Sequence, residues 1–160
     1  MTLEEVKLHL RVDGTEEDSL IAALIAAARQ KAEEYTRRAF ITQTWELALD
    51  SACGVLHLPR PPVQAVETIT VDGVAAAAEN YALVSPDVLH IKVPLYAANP
   101  GGVVIRYRAG YGDTSADVPQ VIQQAILMLI AHLYEHRGDE VVELPPAVKT
   151  LLQPYRVMLL

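Results

Sequence analysis

The chain has 160 residues, 51% of them hydrophobic, and a formal net charge of −7; its mean hydropathy is +0.19. That is long and apolar enough for one folded domain with a core, or for a helical body carrying a small β region, and it excludes a disordered chain. With 13 Lys and Arg against 20 Asp and Glu, and no basic run, the isolated domain is a poor ligand for nucleic acid phosphates. Cys53 is the single cysteine, so no intrachain disulfide forms.

Residues 2–10 predict a short helix, with Thr2 and Glu5 as a capping box and Leu3, Val6 and Leu10 on one side. Arg11-Val12-Asp13-Gly14 reads as a turn. Thr15 then caps a second helix, with Asp18 at the capping-box position and Ile21, Leu24, Ile25, Ala28, Ala32 and Tyr35 as its apolar positions. Its alanines predict a close approach to another helix, and Arg37 and Arg38 sit at the favourable end of the dipole.

The pattern changes near Ile41. Residues 44–50 alternate, with Trp45, Leu47 and Leu49 on one face, as a half-buried strand does. Residues 51–54 read as a turn and 55–58 as a returning strand. Pro59-Arg60-Pro61-Pro62 predicts an extended connection with few donors. Residues 63–71 alternate again, and Asp72-Gly73 is the strongest hairpin signal in the chain. Strands are expected at 81–84, 89–93 and 103–108, with turns at 99–102 and 109–113.

Residues 118–137 carry the strongest helix signal. Asp117 reads as the N-cap, Pro119 lies just inside the start, and Gly138 reads as the stop. Ile122, Ala125, Ile126, Leu129 and Leu133 form one stripe, and Val121, Met128 and Ile130 widen the apolar surface beyond it. A polar loop follows, then a helix over 147–152 ended by Pro154, then an apolar tail. Helices flank a run of strands without βαβ alternation, which predicts an α+β fold: a helical bundle core with an inserted antiparallel β region. The expected partition is one domain over 1–160, with a helical core at 2–39 and 117–154, the β region at 41–109 and a tail at 155–160.

The N-terminus has neither a basic n-region nor an apolar h-region, so no secretion signal is expected. The apolar run 125–131 is too short to cross a bilayer. The cytoplasm of the producing cell is therefore the expected compartment.

Few residue patterns suggest chemistry. His132, Glu135 and His136 match H-x-x-E-H, and histidines four apart share a helix face. Only Asp139, Glu140 and Glu143 could supply a third ligand, with little room for a substrate cleft. A helix end with two histidines near its negative pole explains the motif better. Cys53 has no evident base or orienting partner. His57 and His90 are isolated on strands. Gly110-Tyr111-Gly112 precedes a helix but lacks the lysine and third glycine of a phosphate loop, and a tight strand-to-helix turn explains it better. The proline segment could dock a partner groove, though a rigid connection is the simpler account. No catalytic residue, metal site or cofactor is expected.

The order and joint spacing of several segments resemble the head–tail connector, or adaptor, proteins of tailed phages and prophages. These segments are TLEEVK (2–7), HLRVD (9–13), DSLIAALIAAA (18–28), EEYTRRAFITQTWEL (33–47), LPRPPVQAV (58–66), YRAGYGD (107–113), VPQVIQQAILMLIAHLYEHR (118–137) and LPPAVKTLLQPYR (144–156). One departure is His136, where a polar residue such as Asn is expected, and this weakens the zinc reading further. The resemblance implies a structural virion protein, not an enzyme, made in the host cytoplasm and placed at the head–tail junction. It implies a homo-oligomeric ring, a dodecamer, under the portal protein, with a stopper or tail-completion protein as the next partner. DNA passes through such a ring without sequence-specific binding, and no membrane is involved. It further implies that the C-terminal segment (Tyr155, Arg156, Val157, Met158, Leu159 and Leu160) meets the portal. Subunit contacts are expected on Val121, Met128 and Ile130 and on the alanine-rich second helix. Two rival readings are another head- or tail-completion protein and a small metal-dependent hydrolase using His132, Glu135 and His136.

Overall fold

The computed structural model describes residues 1–136 and 143–158. The chain divides into two compact units, Met1–Arg37 with Thr114–Leu160, and Arg38–Asp113. The first is helical and the second is built of strands, which makes the fold mixed α+β with antiparallel sheets.

In the first unit α1 (Leu3–Leu10) starts with the predicted capping box. The Thr2 amide donates to Glu5 Oε2 at 2.7 Å, and the Glu5 amide to Thr2 Oγ1 at 3.2 Å. α2 (Asp18–Thr36) starts two residues later than an N-cap at Thr15 predicts, with Glu17 in the cap position. Asp18 does not cap it, because its carboxylate accepts from Lys7 Nζ at 2.7 Å. Lys7 also donates to the Gly14 carbonyl, so this nearly buried ammonium ties α1 to the turn and to α2. α3 (Gln120–Glu135) follows a short 3₁₀ turn, Ser115–Asp117. Asp117 caps that turn and not the helix: Thr114 donates to Asp117 Oδ2 through its amide at 2.9 Å and its hydroxyl at 2.8 Å. Pro119, with ψ 135°, is the residue before the helix. The predicted stop at Gly138 lies outside the described residues. α4 (Pro146–Leu152) ends two residues before Pro154, as expected, and is followed by a 3₁₀ turn, Gln153–Tyr155. Ile21, Ala28 and Ala32 of α2, Ile122, Leu129 and Ile130 of α3 and Val148 and Leu152 of α4 are buried.

The second unit holds two sheets. One has the order β1-β7-β3-β4, from β1 (Gln43–Leu49), β3 (Val63–Val71), β4 (Val74–Ala75) and β7 (Val103–Ala109). The other has the order β2-β6-β5, from β2 (Ser51–His57), β5 (Tyr81–Ser85) and β6 (Val88–Tyr96). Alternation is clearest on β7, where Val103, Ile105, Tyr107 and Ala109 all face inward. Buried residues of both sheets, among them Ile69, Ile105, Tyr107, Leu89, Ile91 and Leu95, share one core. Asp72 and Gly73 turn β3 into β4 with φ of 48° and 83°, the two positive values that a type I′ hairpin needs.

Two expectations fail here. Residues 51–54 are strand and not turn: Asp50 alone separates β1 from β2, and β2 pairs with β6 in the other sheet. Pairing partners lie far apart in sequence, so residue alternation alone cannot reveal this switch of sheet. The proline segment is not extended throughout either. Arg60 has φ 57°, and the Pro61-Pro62 bond is cis. The Arg60 guanidinium carbon lies 5.5 Å from the Trp45 ring centroid, a cation–π arrangement.

Candidate functional site

The C-terminal segment is anchored for part of its length. Tyr155 closes the last 3₁₀ turn and is half-buried. The Tyr35 hydroxyl of α2 donates to Gln153 Oε1 at 3.2 Å, and Arg156 lies 5.4 Å over the Tyr35 ring. The Val157 amide donates to the Thr36 carbonyl at 2.8 Å. That carbonyl is at the C-terminal end of α2, where the last acceptors have no intrahelical donor. So Gln153, Arg156 and Val157 dock on the end of α2 in their own unit. Met158, 72% exposed, then projects from the anchored part. Leu159 and Leu160 lie outside the described residues.

The expected flank of α3 divides. Val121 is exposed and Met128 is half-buried. Ile130 is fully buried with 0% exposure, so it belongs to the core of its own unit and presents nothing to a neighbouring chain. The helical period explains the correction. Ile130 lies four residues after Ile126 and one after Leu129, inside the stripe and not beside it. On α2 the alanines also divide: Ala28 and Ala32 are buried, whereas Ala22, Ala23, Ala26 and Ala27 are exposed.

Among the described residues the remaining motifs hold no assembled chemistry; Asp139 and Glu140, two of the expected third ligands, lie outside them. The His132 and His136 rings lie 4.3 Å apart at a tilt of 39°. His136 Nδ1 is 2.9 Å from the His132 carbonyl oxygen, which occupies that nitrogen with the helix end. No group of three His, Cys, Asp or Glu side chains with metal-binding geometry occurs among the described residues. His57 Nδ1 sits 3.6 Å from Asp87 Oδ2 on the surface. Gly110-Tyr111-Gly112 is a backbone crossing. The Gly110 amide donates to Pro62, and the Gly112 carbonyl accepts from Thr42 at 2.9 Å. A Cβ on Gly110 would come within 2.6 Å of the Ile41 backbone, so the glycine serves close approach and not a phosphate. No helix among the described residues is long and apolar enough to cross a membrane.

Residues 1–158 match the family described as head completion protein. The chain belongs to the head completion protein family. A search of curated proteins found no match. Among solved structures, this head completion protein is similar to a chain of the neck of an empty gene transfer agent particle computed with C6 symmetry. The identity is 26%, the TM-score is 0.84, and the match covers 100% of this chain and 91% of the other. It is similar also to a chain of the virion of the native gene transfer agent particle, at 27% identity and TM-score 0.81, over 100% of this chain and 91% of that one. A third likeness is to a chain of the neck of the native particle computed with C12 symmetry, at 26% identity and TM-score 0.81, over 99% and 89%.

One surface feature of the head completion protein escapes sequence reasoning. β2 carries exposed Ser51, Cys53, Gly54, Val55 and His57 at the edge of the three-stranded sheet. Alternation marks strands, but it does not say which strand is left at an edge.

Proposed function

We propose that this head completion protein is a structural component of the virion head–tail junction. It forms an adaptor ring that joins the portal protein to the stopper or tail and extends the DNA channel. The observation that carries this reading is the end-to-end likeness to chains of gene transfer agent necks, at a TM-score of 0.84 for the first of them. The C6 and C12 symmetries of those necks support a cyclic homo-oligomer, and a dodecamer is the form proposed. In this reading the end of the C-terminal segment, from Met158 onward, meets the portal. Tyr155, Arg156 and Val157 set its exit direction. Val121 and Met128 of α3 and the exposed alanines of α2 are proposed subunit contacts. The net charge of −7 suits a channel wall past which DNA slides without adhering.

The test is solution mass by light scattering, with negative-stain images of the same fraction, on the protein alone and co-expressed with portal protein. Rings in either preparation and capture by the portal support the proposal. A monomer in both, with no portal capture, overturns it.

A further inference from the structure

The three-stranded sheet has two open edges, β2 and β5, on opposite sides of β6. A free strand edge is a template for pairing with another chain, and folded proteins ordinarily guard it with charge, proline, short length, a β-bulge or a covering element. The sequences here are SACGVLH and YALVS, with no Asp, Glu, Lys, Arg or Pro between them. The four-stranded sheet is different. Its edge strand β1 carries Glu46, ion-paired with Arg106 at 3.7 Å, and its other edge ends in the two-residue β4.

Register shifts interrupt the pairing between Ala52 and Gly54 and between Leu83 and Ser85. They leave Gly54, Val55, Leu56 and His57 in regular register, along with Tyr81, Ala82 and Leu83. Among the described residues, no hydrogen bond joins the backbone of residues 51–57 or 81–85 to a group outside the sheet. Val55 and Val84 are 65% and 67% exposed on these edges.

A closed ring joins two different surfaces of each subunit, one to the next copy and one to the previous. Opposite edges of one sheet are such a pair. Resting on the ring reading above, we propose that β2 of one copy pairs with β5 of the next, so that the three-stranded sheets form a continuous sheet around the ring. Backbone hydrogen bonds supply the contact, and apolar side chains such as Val55 and Val84 close over it. The occupant is a second copy of this chain because the neighbouring neck structures are cyclic, and the two edges are the two different surfaces that a cyclic assembly joins.

Cys53, exposed on β2 and the single cysteine, is a built-in reporter. Ala82→Cys and Val84→Cys each place a second thiol on β5. Paired strands bring the two within disulfide reach. Rings assembled alone or with portal protein are oxidised and run on a non-reducing gel. The expected result is a ladder of crosslinked species from at least one of these variants, and none from the unmodified protein or from Val74→Cys on β4. Intact rings without a ladder from either variant overturn the edge pairing and leave the ring reading standing. Dimers through Cys53 alone would show two-fold contact between β2 edges and overturn it as well. Absence of rings in both preparations overturns the ring reading, and the edge pairing with it. As a second arm, Val55→Lys and Val84→Lys should reduce the mass from ring to monomer with unchanged circular dichroism. Val74→Lys should leave rings intact, and rings that persist in both edge variants again overturn the pairing.

Discussion

The Tyr107 hydroxyl donates a hydrogen bond to the Pro59 carbonyl at 2.9 Å. Tyr107 is 1% exposed in the middle of β7, and Pro59 opens the segment that carries the chain into β3. One side chain thus fixes the proline segment to the central strand of the four-stranded sheet. Tyr107→Phe leaves a carbonyl without its donor and should cost about 1 kcal/mol by urea denaturation. Burial also raises the Tyr107 hydroxyl pKa to about 12. The folded pKa lies above the unfolded one, so this contribution is whole below pH of about 10 and is lost as pH rises toward 12. Alkaline unfolding curves should therefore show a fall in stability over that window, which Tyr107→Phe removes.

Ile130 and Val121 separate core from surface on one helix. Ile130→Ala opens a cavity and should destabilise the protein by about 2–5 kcal/mol. Val121→Ala, at an exposed position, should change stability by no more than about 0.5 kcal/mol. Thermal unfolding of the two variants measures both. Mass measurements on Val121→Asp then test the proposed subunit contact: ring assembly should weaken while the monomer stays folded.

The tail offers a similar separation. Removing residues 157–160 deletes the bond from the Val157 amide to the Thr36 carbonyl along with the projecting end. Met158→Glu keeps that bond and changes only the exposed side chain. Both variants should lose portal capture in a pull-down. Only the truncation should lower the melting temperature, since the net contribution of one such bond is about 0.5–1.5 kcal/mol. Unchanged capture by both variants would remove the tail from the proposed portal contact.

Asp72 organises the turn before β7. Its carboxylate accepts from the Ala98 amide at 2.7 Å and from the Asn99 amide and side chain at 3.2 and 3.1 Å. Asp50 holds the Gly101 amide at 2.7 Å in the same turn. The Ala98 amide foremost, and Asn99 after it, hold the Asp72 carboxyl below its ordinary value of 3.8. A lowered folded pKa means the contribution is present above that ordinary value and is lost as pH falls through the folded one. The protection of the Ala98 and Asn99 amides, taken as the intrinsic exchange rate over the observed rate at each pH, should be high at neutral pH and fall in acid below the usual carboxylate range. In Asp72→Asn it should be low at both, with the left-handed backbone kept because Asn tolerates it.

Local chemistry was legible without coordinates. The Thr2–Glu5 box, the I′ turn at Asp72-Gly73, the inward face of β7 and the buried stripe of α3 each depend on residues a few positions apart. Their periods and caps write themselves into the sequence. The α+β class followed from the order of those elements. The tertiary structure alone decided matters of distant partnership. Asp18 serves Lys7 and not its own helix, because an ammonium at 2.7 Å competes with the cap. β2 pairs with β6 and not with the strand before it, which leaves two uncharged edges on one small sheet. A side-chain pattern states which face a strand buries. Which backbone lies beside it is set by contacts between residues far apart in the chain, and only the folded molecule brings those together.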